Sequence, residues 1–219
     1  MKKIICLIAA MMLIMASLSA CESAGTDSES QVSGSTGETL ASSASDSGVS
    51  SDPYPINYTE DERITTEGDK KTFDNDNITY TVPAGWQFAE QRLEDGSTIS
   101  FSEPELGENC RFLVSTTAAE LIGSAPEWTE EEYKEHLSEF YQDVIIEEFT
   151  TEEIDGHECT KIFFTYMSEG IELKRFEYNK ITAGAAAYDF DITYPAADSE
   201  TYESIFDDII ASIKLTSAE

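Results

Sequence analysis

The sequence predicts an α+β domain in which an antiparallel sheet of about six or seven strands carries one inserted helix and one C-terminal helix packed on it. Two observations lead to this prediction. Several segments alternate apolar and polar residues and are separated by short turns that contain glycine, which is typical of an antiparallel meander. Two further segments have apolar residues at intervals of three and four, which is the spacing of an amphipathic helix.

The chain begins with the pattern of a secreted protein. Lys2 and Lys3 precede an apolar run from Ile4 to Leu18 that contains no charged residue. A basic start followed by such a run is typical of a cleavable signal peptide. A permanent transmembrane helix needs about 20 apolar residues, which is longer than this run. We therefore expect residues 1–20 to be a signal peptide.

The residues LSAC at positions 18–21 resemble the lipobox of bacterial lipoproteins. In that family a diacylglycerol is attached to the cysteine sulfur, and a peptidase then cuts the chain before that cysteine. The resemblance implies that Cys21 is lipidated, carries palmitate-type acyl chains, and holds the protein at the extracytoplasmic face of the cell membrane. Two or three acyl chains anchor a protein firmly. The alternative is an ordinary secretory signal followed by a chance cysteine.

Residues 21–72 are predicted to be a disordered linker that starts at the lipidated cysteine. From 22 to 52 the chain is rich in serine, glycine and acidic residues and has no aromatic residue, lysine or arginine. Such a composition buries too little apolar surface to offset the conformational entropy lost on folding. About 50 flexible residues reach roughly 40 Å on average, so the linker holds the domain away from the membrane.

The domain is expected to span residues 73–219, and its first part is predicted to consist of strands. The segment 78–86, ITYTVPAGW, alternates and stops at Pro83, which has no N–H to give to a sheet ladder. The segments 97–102 and 110–117 are the next predicted strands, and loops connect them.

The period then changes to that of a helix in residues 128–144. Thr129 and Glu132 have the spacing of a capping box, and Trp128 is placed to form a hydrophobic staple with Tyr133. The glutamates of the first turn suit the positive end of the helix dipole. These acids therefore require no ligand to explain them.

Four strands follow this helix, and a second helix closes the domain. The strands are predicted at 145–154, 157–168, 171–182 and 185–195. The apolar stripe of the closing helix consists of Tyr202, Ile205, Phe206, Ile209, Ile210 and Ile213. Because these residues share one side of a helix, we expect them to cover one face of the sheet.

This order of elements resembles the PsbP-like group of α/β/α sandwich domains. The resemblance rests on ITYTVPAGW near the start of the domain, the mid-chain helix, the run of hairpin strands and FDDIIASIKL at 206–215. It implies a domain that serves in binding or assembly rather than in catalysis. No site residue of that group is carried over to this chain.

The net charge of −31 excludes several classes of partner. An acidic chain is repelled by the phosphates of nucleic acids and by anionic lipid headgroups. We therefore expect no nucleic acid partner, and contact with the membrane only through the lipid. Basic partners or cations would be attracted, although solubility alone also explains the excess of acids.

Catalytic motifs are missing from the sequence, which contains no G-x-S-x-G, H-E-x-x-H, Walker or G-x-G-x-x-G pattern. The only histidines are His136, on the predicted helix beside Leu137, and His157, at the start of a strand. We assign no catalytic residue and predict that the protein is not an enzyme. No cofactor is expected apart from the lipid on Cys21.

Asp74 and Asp76 are candidate calcium ligands, because DNDN at 74–77 begins like a calcium-binding loop. An EF-hand needs glycine at its sixth position and glutamate at its twelfth, and these positions hold Thr79 and Gly85. Two alternatives remain for this segment: a polar turn, or a looser calcium site shared with another loop.

Cys110 and Cys159 are the two cysteines of the domain. Secretion would permit a disulfide between them, and a pair of buried free thiols is the alternative. Cys159 also shares a strand face with His157, and this pair makes half of a zinc site if two more ligands converge on it.

The two tryptophans, Trp86 and Trp128, form a binding platform for sugars or peptides if they are exposed, and pack against the core if they are not. Taken together, the lipobox, the linker and the resemblance to PsbP-like domains imply a membrane-anchored extracytoplasmic lipoprotein whose domain is a protein-binding or assembly module of the cell envelope. The alternative is a lipoprotein that binds calcium or a small ligand, which includes a role in transport.

Overall fold

The computed structural model describes residues 54–60, 62–122 and 127–216. The strands are β1 (Ile56–Asn57), β2 (Ile64–Glu67), β3 (Lys70–Asp74), β4 (Ile78–Pro83), β5 (Gln87–Leu93), β6 (Gly96–Ser102), β7 (Arg111–Ala118), β8 (Gln142–Ile154), β9 (His157–Ser168), β10 (Ile171–Ala183), β11 (Ala186–Pro195) and β12 (Lys214–Leu215). The α-helices are α1 (Ala119–Ile122), α2 (Glu130–Leu137) and α3 (Ser199–Ser212).

In this part of the chain the twelve strands form two antiparallel sheets. The larger sheet has eight strands in the order β1-β5-β6-β7-β11-β10-β9-β8. The smaller sheet has four strands in the order β12-β4-β3-β2. Because β12 pairs with β4, the last strand of the chain lies beside one of the first.

The larger hydrophobic core lies where the four-stranded sheet and α3 meet one face of the eight-stranded sheet. We call this side the aromatic face. Its buried rings include Phe73, Tyr80, Phe101, Phe112, Phe190 and Tyr194. The Tyr80 ring lies 5.2 Å from that of Phe112, which joins the two sheets directly. Helix α3 completes the core with Phe206 and Ile209, which are both almost fully buried.

A smaller core lies on the opposite face of the eight-stranded sheet, beneath α2. Leu137 of α2 is fully buried there against residues of β8, β9 and β10. Side chains alternate along a strand, so Leu173 and Glu177 of β10 face this side while Phe176 and Tyr178 face the other. We call this side the helix-covered face.

The predicted fold class is wrong in its number of strands, sheets and helices. A single sheet of about six or seven strands with two helices was expected, whereas the described residues form twelve strands in two sheets and three α-helices. Strand β5 was not predicted, because Glu90 and Arg92 interrupt its apolar pattern. Glu90 is nevertheless buried, since the Arg63 guanidinium donates to both of its carboxylate oxygens, at 3.0 and 2.9 Å.

Two of the unpredicted strands, β1 and β2, and the start of a third, β3, lie in the stretch that the sequence assigned to the linker. Strands β1 and β2 fall within residues 56–67, and β1 pairs with β5 at the edge of the eight-stranded sheet. Each has an isoleucine in a polar context, Ile56 or Ile64, so neither shows a clear alternating pattern. Strand β1 pairs with the distant β5, whereas β2 forms a local hairpin with β3.

The inserted helix is shorter than predicted, but its start is confirmed. Helix α2 ends at Leu137, and Val144, which was counted in the helical stripe, lies in β8. At its start the Thr129 hydroxyl accepts from the Glu132 N–H, and the Glu132 carboxylate accepts from the Thr129 N–H, as a capping box requires. The C-terminal helix is confirmed as well. Phe206 and Ile209 of its stripe are buried, Tyr202, Ile205 and Ile210 are partly buried against the same core, and Ile213 lies just after the helix.

Candidate docking surface at strand β8

Strand β8 forms one edge of the eight-stranded sheet. Among the described residues it pairs on one side only, with β9. Two irregularities interrupt the pairing near its start, between Gln142 and Ile145 and between Ile146 and Glu148. From Glu148 to Ile154 the register is continuous. The second half of β8 is therefore a regular strand with an open edge.

The turn after β8 determines which backbone groups of that edge point outward. Asp155 and Gly156 form a two-residue turn, and both have positive φ, 48° and 80°. Ile154 and His157, which flank such a turn, exchange backbone hydrogen bonds with each other. Hydrogen-bonded and non-hydrogen-bonded pairs alternate along an antiparallel pair of strands. Every second residue of β8, counted back from Glu153, therefore directs its N–H and C=O groups away from β9. These residues are Glu153, Thr151 and Phe149.

Acidic side chains dominate β8, which contains no lysine or arginine. Its carboxylates belong to Asp143, Glu147, Glu148, Glu152 and Glu153. Lys161 of β9 lies 3.2 Å from Glu148 and 3.1 Å from Glu152. Partial burial opposes the charge of Lys161, but hydrogen bonds to these carboxylates outweigh it and raise the pKa of the amine. The other three carboxylates have no ion pair within the described ranges.

The aromatic face beside β8 carries a pair of stacked rings that are only partly buried. Phe163 and Phe176 stack with their ring centroids 4.2 Å apart and their planes 9° apart. Lys161 lies over Phe176 at 5.8 Å, and Lys174 lies over Phe163 at 5.7 Å. Ile145 of β8 extends this surface and is 56% exposed. An exposed apolar and aromatic area beside an open edge is the composition of a protein-binding surface.

A buried ionic cluster supports this region from the helix-covered face. Arg175 contacts Glu177 at 2.7 Å and Asp191 at 2.8 Å, and donates to the Tyr141 hydroxyl at 3.3 Å. The Tyr133 hydroxyl of α2 donates to Glu177. Burial raises the pKa of Asp191 to about 7, although the nearby Arg175 opposes this shift. The cluster fixes α2 to the sheet and leaves β8 open on its outer side.

Cys110 and Cys159 do not form a reactive site in the structure. Cys21 lies outside the described residues. Cys110 and Cys159 are buried free thiols. Burial raises the pKa of Cys110 to about 12 and that of Cys159 to about 11. Thiols with such values are weak nucleophiles and weak metal ligands at neutral pH.

The candidate metal ligands have hydrogen-bonding roles in the structure. Asp74 accepts from the Thr79 hydroxyl at 2.8 Å, next to the turn that joins β3 and β4. Asp76 lies in that turn. His157 places Nδ1 2.8 Å from the carbonyl oxygen of Thr182. Within the described ranges, no three His, Cys, Asp or Glu residues come together as metal ligands would.

The tryptophans and His136 pack against other rings. Trp86 is 4% exposed and lies 5.5 Å from Phe206, centroid to centroid. Trp128 stacks on His136 at 5.2 Å and contacts Tyr133 at 6.2 Å, which is the predicted staple. The predicted platform of two tryptophans is thus not assembled, since the two rings belong to different clusters. The buried tyrosines of the sheet, Tyr166, Tyr178, Tyr188 and Tyr194, likewise pack in the two cores.

A cavity of about 410 Å³ lies near the other edge of the eight-stranded sheet. It is lined by Tyr54, Pro55, Asn57, Glu90 and Arg92. Its charged groups pair within the protein, because Glu90 binds Arg63 and also lies 3.7 Å from Arg92.

No α-helix in the described part of the chain is long and apolar enough to cross a bilayer.

Sequence reasoning missed β8 as a site because its importance depends on the strand order. The segment IIEEFTTEEI was recognised as a strand, and its four glutamates were visible. Whether a strand is central or at an edge depends on pairings between distant segments, which no local pattern reveals. Its density of charge was the available signal, since charged residues are typical of edge strands.

Neither a protein-family model nor a curated protein matches the chain. Among solved structures it is similar to cyanobacterial PsbP (CyanoP) from Synechocystis, at 10% identity and a TM-score of 0.47, over 68% of this chain and 94% of that one. It is also similar to a protein of unknown function from Pseudomonas aeruginosa, at 18% identity and a TM-score of 0.43, over 66% of this chain and 96% of that one.

A third similar structure is an immunity protein of Pseudomonas aeruginosa, TplEi, solved in complex with a peptide. The identity is 8% and the TM-score 0.42, over 74% of this chain and 59% of that one. A PsbP protein is thus among the solved structures that this backbone resembles. At these identities the likenesses concern the arrangement of the backbone and assign no role to any residue.

Proposed function

We propose that this chain is a lipid-anchored protein of the extracytoplasmic membrane face, and that its domain binds another protein of the cell envelope. Binding takes place at the edge of β8 and on the adjoining aromatic face. The open edge of β8 carries the proposal, since a regular, exposed edge strand is a ready surface for another chain. In this proposal the protein is a binding module and not an enzyme.

The anchoring part of the proposal is supported by the sequence alone. The apolar run to Leu18 and the LSAC motif lead to lipidation at Cys21, and a serine-rich spacer follows. With strands already present from Ile56, such a tether has about 30 residues and keeps the domain within roughly 30 Å of the membrane on average, where its partners are other envelope proteins.

The anchor is tested by Cys21→Ser in the full-length chain, expressed in its bacterial host. We expect the variant to leave the membrane fraction, because the serine hydroxyl does not accept the lipid. Cys6→Ser is the matched control, since Cys6 lies in the predicted signal peptide, and it is expected to stay membrane-bound. Retention of Cys21→Ser in the membrane fraction would show that the anchor is not this cysteine.

The binding surface is tested by placing a photo-crosslinking amino acid in the full-length protein in living cells. One variant carries it at Thr151, on the edge of β8, and a second at Ile145, on the adjoining face. A third carries it at Glu94, an exposed residue of the turn between β5 and β6. We expect one reproducible envelope protein to be captured from the first two positions and not from Glu94. Equal capture from all three positions, or none, would reject the proposal.

A further inference from the structure

We propose that the partner supplies a basic β-strand, which pairs with Glu148–Ile154 and extends the eight-stranded sheet by one strand. This inference rests on the proposed function and names the mode of binding at the same surface. It combines three observations on β8: its outward backbone groups, its charge and its two irregularities.

The backbone of the regular half of β8 presents hydrogen-bonding groups on its outer side. The outward N–H and C=O groups belong to Phe149, Thr151 and Glu153. The side chains from Thr150 to Glu153 are all exposed, so no other part of the described chain covers this stretch of the strand. Seven residues in continuous register match the usual length of a paired strand. An added strand would therefore satisfy groups that otherwise bond only to water.

The charge of β8 indicates what kind of strand fits. Like charges directly opposite each other in neighbouring strands are destabilising, and opposite charges are stabilising. A second copy of β8 would place carboxylates against carboxylates, which disfavours self-pairing. A strand with lysine or arginine at alternate positions carries these charges on one face, where they would meet Glu153, because Glu148 and Glu152 on the other face already pair with Lys161. The inferred occupant is therefore a basic strand of a different protein.

The irregularities near the start of β8 limit where pairing takes place. Natural sheets protect their edges with bulges and charges, and β8 has both. The two irregularities lie before Glu148, while the residues after it are regular. Bulges thus block the first half, and charge selects what pairs with the second half. A strand protected only against aggregation would not need a regular segment with an open backbone.

The probe for this inference is a synthetic ten-residue peptide of alternating lysine and valine, acetylated and amidated at its ends. Its affinity for the full-length protein in detergent is measured at low and at physiological salt. The first control peptide has the same sequence with N-methyl groups on every residue, which removes the N–H donors of both of its edges and keeps the charge. The second control peptide has glutamate in place of lysine.

We expect saturable binding of the basic peptide that weakens with salt, since the interaction is partly ionic. The N-methylated peptide should bind at least about tenfold more weakly, because several backbone hydrogen bonds are lost. The glutamate peptide should not bind. Equal binding of the N-methylated and unmethylated peptides would show simple charge attraction and overturn the inference. Absence of saturable binding of the basic peptide at low salt would overturn it too.

Variants of β8 test the same point from the protein side. Thr151→Pro removes one outward N–H on the edge, where proline is tolerated, and we expect it to weaken peptide binding at least about tenfold. Thr151→Val keeps that N–H and should bind like the unmodified protein. Glu153→Gln should weaken binding about twofold to fivefold at low salt, whereas Glu94→Gln should not. A folded Thr151→Pro protein with unchanged affinity would contradict strand pairing.

The in-cell crosslinks separate failure of this inference from failure of the proposed function. If Thr151→Pro still allows the envelope protein to be captured from Ile145, the binding surface stands and strand pairing is wrong. If no envelope protein is captured from either Thr151 or Ile145 in the unmodified chain, the proposed function itself is wrong. Loss of capture from Ile145 in Thr151→Pro, together with the peptide results, supports both.

Discussion

The two ends of the eight-stranded sheet are covered on opposite faces and by different means. At one end, β5, β6, β7 and β11 pack their aromatic face against a second sheet and α3. At the other end, β8, β9 and β10 are covered on the opposite face by the eight-residue helix α2. The first end is built around buried rings, whereas the second adds the ionic cluster around Arg175 to a smaller core.

Under the proposed function, this difference separates stability from recognition. The two-sheet core buries many aromatic side chains, and burial of apolar area is the main source of folding free energy. The end around β8 has a thinner cover and leaves an edge and part of a face open. We therefore expect substitutions at the first end to affect the whole fold, and substitutions at the second end to affect α2, β8 and binding.

The largest expected effect is that of Phe206→Asp at the first end. This residue of α3 is 3% exposed and packs on Trp86 and Tyr194, so an uncompensated carboxylate would be buried in the core. We expect the domain to unfold, as measured by loss of near-UV circular dichroism. Asp208→Ala on the exposed side of α3 is the matched control and should remain folded. A folded Phe206→Asp variant would refute the leading role of the two-sheet core.

The next largest effect is expected from Arg175→Met at the second end. Its removal leaves Glu177 and Asp191 buried without their cation, which costs about 3–5 kcal/mol of unfolding free energy at neutral pH. The loss should appear in urea unfolding, and amide exchange should accelerate in α2 and β8 first. Lys174→Met, on the neighbouring position of β10 and partly exposed, is the control. Uniform acceleration across β5, β6 and β7 would contradict the separation of the two ends.

A pH dependence of stability is expected from Asp191. Its pKa is about 7 in the folded protein, mainly because of burial, and near 3.8 when the chain is unfolded. Between these values the folded state binds more protons than the unfolded state, so stability should fall as pH rises from about 4 to about 7. Asp191→Asn cannot titrate, and its free energy of unfolding should decline less over that range. Urea titrations at several pH values measure this, and identical slopes would show that Asp191 does not contribute.

Burial also raises the pKa of Asp189 to about 6, with the same sign of pH dependence. The decline of unfolding free energy with pH that remains in Asp191→Asn is expected to come from Asp189. The double variant with Asp189→Asn should therefore remove it. A remaining decline of unchanged size would assign the pH dependence to other groups.

The smallest effect is expected from Thr129→Ala, which removes the cap of α2. Loss of an N-cap costs about 1 kcal/mol, and the change should be confined to the second end. Thr129→Ser retains the hydroxyl and serves as the control. Hydrogen exchange of the first turn of α2 measures the effect, and equal exchange in both variants would show that the cap is not needed.

Local patterns predicted those parts of the fold that neighbouring residues determine. The capping box at Thr129 and the stripe of α3 needed only the sequence spacing, and both are confirmed. The end of α2 was misplaced because Val144 has the spacing of a helix and is buried by β8 instead. Strands β3 and β5 were missed because their charged residues are buried through partners such as Arg63, which no local window contains.

The candidate site was less accessible to sequence reasoning than the fold. The residues chosen for chemistry, such as Asp74 and His157, have hydrogen-bonding roles that turns and strand ends impose. The exposed edge depends on the order of eight strands, which is a global property. The acids of β8 were visible, but only the strand order shows that they line an open edge.

The pairing of β4 with β12 has a consequence for how the chain reaches its folded state. Strand β4 pairs on one side with the adjacent β3, but on its other side it pairs with Lys214–Leu215, and the Asp155 carboxylate accepts from the Leu215 N–H at 2.8 Å. Contacts so distant in sequence form slowly. The four-stranded sheet is therefore completed only after Lys214–Leu215 have been made, although β2, β3 and β4 can pair with one another earlier.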